Sequence, residues 1–246
     1  MTETAPAATA PVESTTTEPR KRLILVAMDK GGVGKSFFTI LLVQWLQSKR
    51  AGFLAFDPDY QNSTLTRFIP ESQFLDIRHS ENLDRIIEVM QEQPLVVVDG
   101  VGSQQRIFLD WLEETNLLSL RHSMGLDLTL VLIVEEDKDT VHQAGEAVSR
   151  IGANVDWLVV RNQKTMPTTR IYDQSKARKE LLGCGAKEIT LPKLPDHLVL
   201  FLQQHSLTLE RALENNQLFL IDRQRVVDYR RKIFSQFDAN KTILMS

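Results

Sequence analysis

The chain has 246 residues, 42% of them hydrophobic and 25% charged, enough for one sizeable core and few for two. A formal net charge of -3 gives no global attraction to nucleic acid or anionic membrane, so any such binding must come from a local patch. The single cysteine, Cys184, excludes an intrachain disulfide and a four-thiolate metal site within one chain, which suits a reducing, cytoplasmic setting.

Residues 1 to 20 are built from Thr, Ala, Pro and Glu without apolar periodicity, so they are expected to form a disordered tail. They do not read as a secretion signal, and no later segment approaches the length of a membrane span. A single domain is expected over 21–238, followed by a short C-terminal tail over 239–246. The domain opens with an apolar run from Arg22 to Met28, of strand length. The heptad Lys30-Gly31-Gly32-Val33-Gly34-Lys35-Ser36 comes next, and a helical pattern runs from Ser36 to Lys49. Strand, loop and helix in that order are the context a phosphate-binding loop requires. Its glycines let the backbone N–H groups curl toward phosphate, Lys35 places a charge on the β/γ oxygens, and the Ser36 hydroxyl can ligate Mg²⁺, with Phe37 adjoining the loop. The general motif asks for glycine five residues before Gly34, where this chain has Asp29.

Further along, a strand over 52–56 ends at Asp57, a helix is expected over 83–91, and a strand over 95–98 ends at Asp99. Helices over 107–118, 141–151 and 171–182 then alternate with strands over 126–134, 157–160 and 189–191, and the region 197–237 reads as helical. Continuous apolar strands alternating with helices predict an α/β fold. Its sheet is mainly parallel and twisted, is flanked by helices on both faces, and carries ligands at the carboxyl ends of the strands. Asp99 after four apolar residues is a candidate for holding a water of the Mg²⁺ shell opposite Ser36; the same residue type caps helices. Gly102 is placed to offer its N–H to a γ-phosphate and so to sense hydrolysis.

The form KGGxGK[ST] resembles the deviant Walker A loop of the ParA/MinD superfamily of P-loop ATPases at every defined position. That resemblance implies that Lys30 reaches across a dimer interface to the nucleotide of the other subunit, so that ATP joins two chains and its hydrolysis releases them. The segment Asp57-Pro58-Asp59-Tyr60-Gln61-Asn62 resembles the family's first switch, DxDPQGN. Carried over by position, Asp57 contacts the Mg²⁺ water shell and Asp59 orients the attacking water. Tyr60 replaces a proline and the glycine before Asn62 is missing, and both aspartates also suit a turn. The family's usual prolines after the second aspartate are replaced by Gly100-Val101-Gly102. Asn162 falls where relatives place an adenine-contacting asparagine, and Pro192 falls in a proline-containing loop over the adenine edge. The missing cysteine pair argues against the nitrogenase iron-protein branch.

Between Arg161 and Lys193 lie eight Lys/Arg (161, 164, 170, 176, 178, 179, 187, 193) against three Asp/Glu (173, 180, 188). Such a stretch fits non-specific binding of double-stranded DNA through phosphates, or an ordinary solvated helix face. A C-terminal helical face of Val226, Tyr229, Ile233, Phe234 and Phe237 lies beside arginines, as in the membrane helix of MinD relatives; Arg230, Asp222 and Asp228 favour packing on the domain instead. The short DxDxxN switch and the proline-free Walker B loop resemble plasmid-borne TraL/StbB-type ATPases. The resemblance implies a Mg-dependent ATPase that forms an ATP-sandwich homodimer and positions or segregates a cargo in plasmid partition, plasmid stability or conjugative transfer. A centromere-binding or transfer protein is the implied partner. A membrane-associated spatial regulator and a metal-centre maturation or biosynthetic enzyme are the alternatives.

Overall fold

The computed structural model describes residues 20–102 and 104–245; apart from Arg20, the expectation for the N-terminal tail lies outside the described residues. Among the described residues, seven strands form one wholly parallel sheet: β1 (Lys21–Val26), β2 (Leu54–Asp57), β3 (Gln73–Phe74), β4 (Leu95–Val98), β5 (Leu126–Val134), β6 (Asp156–Asn162) and β7 (Lys187–Leu191). Their order is β3-β2-β4-β1-β5-β6-β7, so β1 is central, with Ile24 opposite Val97 on one side and Thr129 on the other. Both faces of the sheet are covered, which is why these strands read as unbroken apolar runs: Leu23 to Val26, Val96 to Val98 and Leu130 to Val134 are wholly buried.

The helices α1 (Lys35–Ser48), α2 (Thr64–Phe68), α9 (Asp196–His205), α10 (Leu209–Glu214) and α11 (Leu220–Ala239) gather together. A second group is formed by α3 (Asp84–Val89), α4 (Gln105–Glu114), α5 (Leu117–Leu120), α6 (Lys138–Ile151), α7 (Arg170–Asp173) and α8 (Lys176–Gly183). The helix expected over 171–182 is two helices, because Ser175 is extended and its Oγ accepts the Arg178 N–H at 3.0 Å, capping a new start. The helix expected over 107–118 is likewise divided, at Asn116, whose φ of 51° is left-handed. Neither α2 nor β3 has a sequence pattern long enough to show: α2 buries only Leu65 and Phe68, and β3 is two exposed residues.

The inner face of α11 buries Val226, Tyr229, Ile233 and Phe237, with Phe237 edge-on to Phe38 at 5.8 Å. The helix therefore packs on the domain. The residues after it, expected as a tail, are docked as well. Leu244 is fully buried, and the buried Arg22 guanidinium donates to the carbonyls of Thr242 (2.9 Å) and Met245 (3.1 Å) while pairing with Asp156 at 2.6 Å. This clamp sits at the amino ends of the strands, which leaves the carboxyl ends to the phosphate loop.

Candidate nucleotide site

The chain leaves β1 at Val26 and passes through the phosphate loop into α1, which begins at Lys35. Two of the loop's glycines are required by backbone geometry, Gly32 with φ 74° and Gly34 with φ 93°. Gly34 is also pressed from outside, since a Cβ there would lie 2.9 Å from the Asn162 Nδ2. Asp29 occupies the place of the missing glycine and has a use: its Oδ1 accepts the N–H of Gln105, the first residue of α4, at 2.5 Å. This bond fastens the start of the phosphate loop to the loop after β4.

Lys35 is buried, and its ammonium donates to the Lys30 carbonyl at 2.7 Å, closing the loop on itself. Burial lowers its pKa, opposed by the charges of Asp99 and Asp29. Asp99 lies behind the loop at the end of β4. Burial pushes its carboxyl up to about 6, while hydrogen bonds from Ser36, Thr39 and the Gly100 N–H pull it back. The Thr39 hydroxyl donates to Asp99 Oδ1 at 2.6 Å and the Gly100 N–H to the same oxygen at 2.8 Å. Sequence reasoning missed Thr39, although its place one turn beyond Lys35 is a signal that could have found it.

Asp57 is the last residue of β2, and Asp59 lies in the loop that follows it. Asp57 is buried and accepts the Thr66 N–H (2.8 Å) and hydroxyl (3.0 Å) and the Asp59 N–H (3.0 Å), which positions α2. Asp59 accepts the N–H groups of Gln61 (3.0 Å) and Asn62 (2.9 Å) and the Asn62 side-chain amide (3.1 Å). The Lys30 ammonium pairs with Asp137 at 2.6 Å and Asp139 at 3.3 Å, at the start of α6, and the Asp137 hydrogen bond is the main reason its pKa is raised.

Asn162, at the end of β6, is turned inward: its Nδ2 donates to the Val33 carbonyl at 2.9 Å and its Oδ1 accepts the Lys164 N–H at 3.1 Å. Lys164, which no motif marks as a site residue, donates to the Gly32 carbonyl at 3.0 Å. Both groups brace the phosphate loop from the carboxyl end of β6, two strands away from β1.

These elements enclose a cleft of about 910 Å³. Gly31, Gly32, Gly34, Lys35, Ser36 and Phe37 line its centre, Asp59 and Gly102 one side, and Asn162 and Pro192 the other. Val33, Asp57 and Asp99 are buried behind this lining, and the partly exposed Lys30 lies outside it. The donor set fits a magnesium nucleotide. Ser36 and Asp99 are hard oxygen donors beside a lysine and a loop of glycine N–H groups, and a buried Asp99 gains from a cation that compensates its ionised form.

The model of the CobQ/CobB/MinD/ParA nucleotide-binding domain matches residues 24–241. The chain belongs to this family. Among its relatives, Protein TraL of Escherichia coli is 25% identical over 245 residues, covering 89% of this chain and 98% of that protein. Protein MobD of Acidithiobacillus ferrooxidans is 23% identical over 185 residues, 72% of this chain and 80% of that protein. Among solved structures, the septum site-determining protein MinD of Pyrococcus horikoshii with Mg-ADP superposes with a TM-score of 0.57 at 11% identity, covering 92% and 99% of the two chains. MinD of Aquifex aeolicus gives 0.53 at 13%, covering 87% and 97%. At such identities the likeness is one of fold.

The basic stretch of this ParA/MinD protein is partly neutralised. Arg161 pairs with Asp173 (2.8 Å), Lys176 with Glu180 (2.9 Å), Arg178 with Glu188 (2.9 Å) and Lys193 with Asp196 (3.0 Å). Lys179 and Lys187 are exposed and outside these pairs. No helix among the described residues is long and apolar enough to cross a membrane.

Proposed function

We propose that the protein is a Mg-dependent ATPase that dimerises around ATP and works as a slow switch positioning plasmid DNA or a transfer complex. The observation that carries this reading is the convergence of the phosphate loop and the Pro58–Asn62 loop on one cleft at the carboxyl ends of a parallel sheet, with Asp57 and Asp99 buried behind it. Phosphoryl transfer asks a protein mainly for positioning and charge neutralisation. Lys35 would leave the Lys30 carbonyl for the β/γ oxygens, the glycine N–H groups would hold the phosphates, and Gly102 would meet the γ-phosphate. Ser36, Asp99 and Asp57 would hold Mg²⁺, which when bound supplies positive charge against the phosphate oxygens. Asp59 would release its turn contacts to orient the attacking water, and Lys30 would exchange Asp137 for the partner's nucleotide. The plasmid setting rests on the resemblance to TraL/StbB-type ATPases, and the relatives named TraL and MobD support it.

Equilibrium ATP binding and sedimentation test the reading. Lys35→Ala should abolish binding, whereas Lys30→Ala should keep it and lower both hydrolysis and ATP-dependent dimerisation. A Lys30→Ala protein that dimerises and turns over normally would remove it from the deviant Walker A class. One observation favours a second reading, a membrane-associated regulator: Phe219, Leu220 and Ile221 at the start of α11 are 80%, 79% and 63% exposed. ATP-dependent liposome binding lost in Leu220→Glu would support it over the first.

A further inference from the structure

Tyr229 lies on α11, far in sequence from every loop of the nucleotide site. Its side chain is only 6% exposed, yet it lines the cleft, where its ring stands 6.3 Å from that of Phe37. The other inward residues of this helix, Val226, Ile233 and Phe237, carry no polar side-chain atom. Burial alone raises the Tyr229 phenol above its ordinary pKa, with no neighbouring charge or hydrogen bond contributing. The hydroxyl therefore stays protonated at neutral pH and, among the described residues, has no partner. Its oxygen is not among the fully buried unpaired atoms and opens on the cleft, where it is free to pair with what the cleft holds.

The surroundings indicate which part of a ligand that is. Leu194, Val199 and Phe37 add apolar surface to the cleft, beside the polar Lys193, Asp196 and Gln203. Apolar surface with a few convergent polar groups suits a planar heterocycle. Asn162, the expected base contact, has both ends of its amide engaged within the protein. We propose that Tyr229 is a nucleobase-contacting residue, its hydroxyl hydrogen-bonding the polar edge of the base while Phe37 and Val199 flank the ring. The C-terminal helix then reads the base while the phosphate loop holds the triphosphate. This rests on the nucleotide binding proposed above.

Tyr229→Phe keeps the ring and its packing on Phe37 and removes only the hydroxyl. Calorimetric titration of the full chain with Mg-ATP and with inorganic Mg-triphosphate separates base from phosphate recognition. The expected result is an ATP Kd raised about 3- to 10-fold, the range for losing one neutral hydrogen bond, with triphosphate affinity and Tm unchanged. Equal ATP affinity in the variant, or a parallel loss for both ligands, would overturn the assignment. A wild-type chain that binds neither ligand is a different outcome, and it would sink the nucleotide reading itself.

Discussion

Gly100 follows Asp99 where the loop after β4 passes closest to the phosphate loop. A Cβ built on it would lie 2.2 Å from the Val26 carbonyl oxygen and 2.6 Å from the Lys35 Cδ. The first atom is backbone at the end of the central strand and cannot rotate away; the second is the stem of a buried lysine. Overpacking of this kind costs about 1–3 kcal/mol. Removing a glycine from the unfolded chain offsets roughly 0.4–1 kcal/mol of that. Gly100→Ala should then lose about 1–2 kcal/mol net, and at this chain length each kcal/mol lowers Tm by roughly 2–4 °C, giving a fall of about 2–8 °C. Because Lys35 must move to admit the methyl group, ATP affinity should drop as well, by about tenfold or more, the cost of misplacing a charged hydrogen bond. Gly102→Ala is the control, since its nearest neighbour is the Asp29 carbonyl at 3.4 Å, and it should melt within about 2 °C of wild type. Thermal melts and calorimetric ATP titrations of the two variants decide the matter. If Gly100→Ala melts with Gly102→Ala and binds ATP as wild type does, the steric argument is wrong.

Three further outcomes rest on other side chains. Asp59→Asn keeps an oxygen for the Gln61 and Asn62 N–H groups but loses the charge, so the fold and ATP affinity should hold while turnover falls roughly a hundredfold. Unchanged phosphate release would reduce Asp59 to its turn. Lys179→Glu with Lys187→Glu should weaken double-stranded DNA binding for every sequence and flatten its salt dependence by about 0.9 log units per log unit of salt for each DNA phosphate left unneutralised, at unchanged Tm. Arg178→Glu faces Glu188 and Asp173 and should instead lower Tm. Gel shifts at two salt concentrations, with and without ATP, separate these effects, and no binding by the ATP-loaded wild type would move the cargo to a protein or a membrane.

The sheet was legible because both its faces are buried, and a strand buried on both faces needs no partner in sequence to betray it. The C-terminal helix was legible in the same way, from a face that alternates at helical spacing and closes over Phe38. What escaped were elements set by a single side-chain oxygen. The short α2 exists because Asp57 caps it at Thr66, and the break before α8 because Ser175 caps it at Arg178. In each case one oxygen decides the backbone, and composition carries no trace of it.

The site divides along the same line. The heptad could be read because its constraints lie inside it: two positive-φ glycines, a lysine and a serine at fixed spacing. The residues around it acquire their reasons only across the sheet. Asp29 departs from the general motif because its carboxylate holds α4, and Gly100 replaces a proline because Val26 and Lys35 leave no room for a Cβ. Asn162 stands at the strand end where position alone places it, yet its contacts to Val33 and Lys164 come from the folded loop, and the proposed base contact Tyr229 reaches the same cleft from a helix that no loop motif marks.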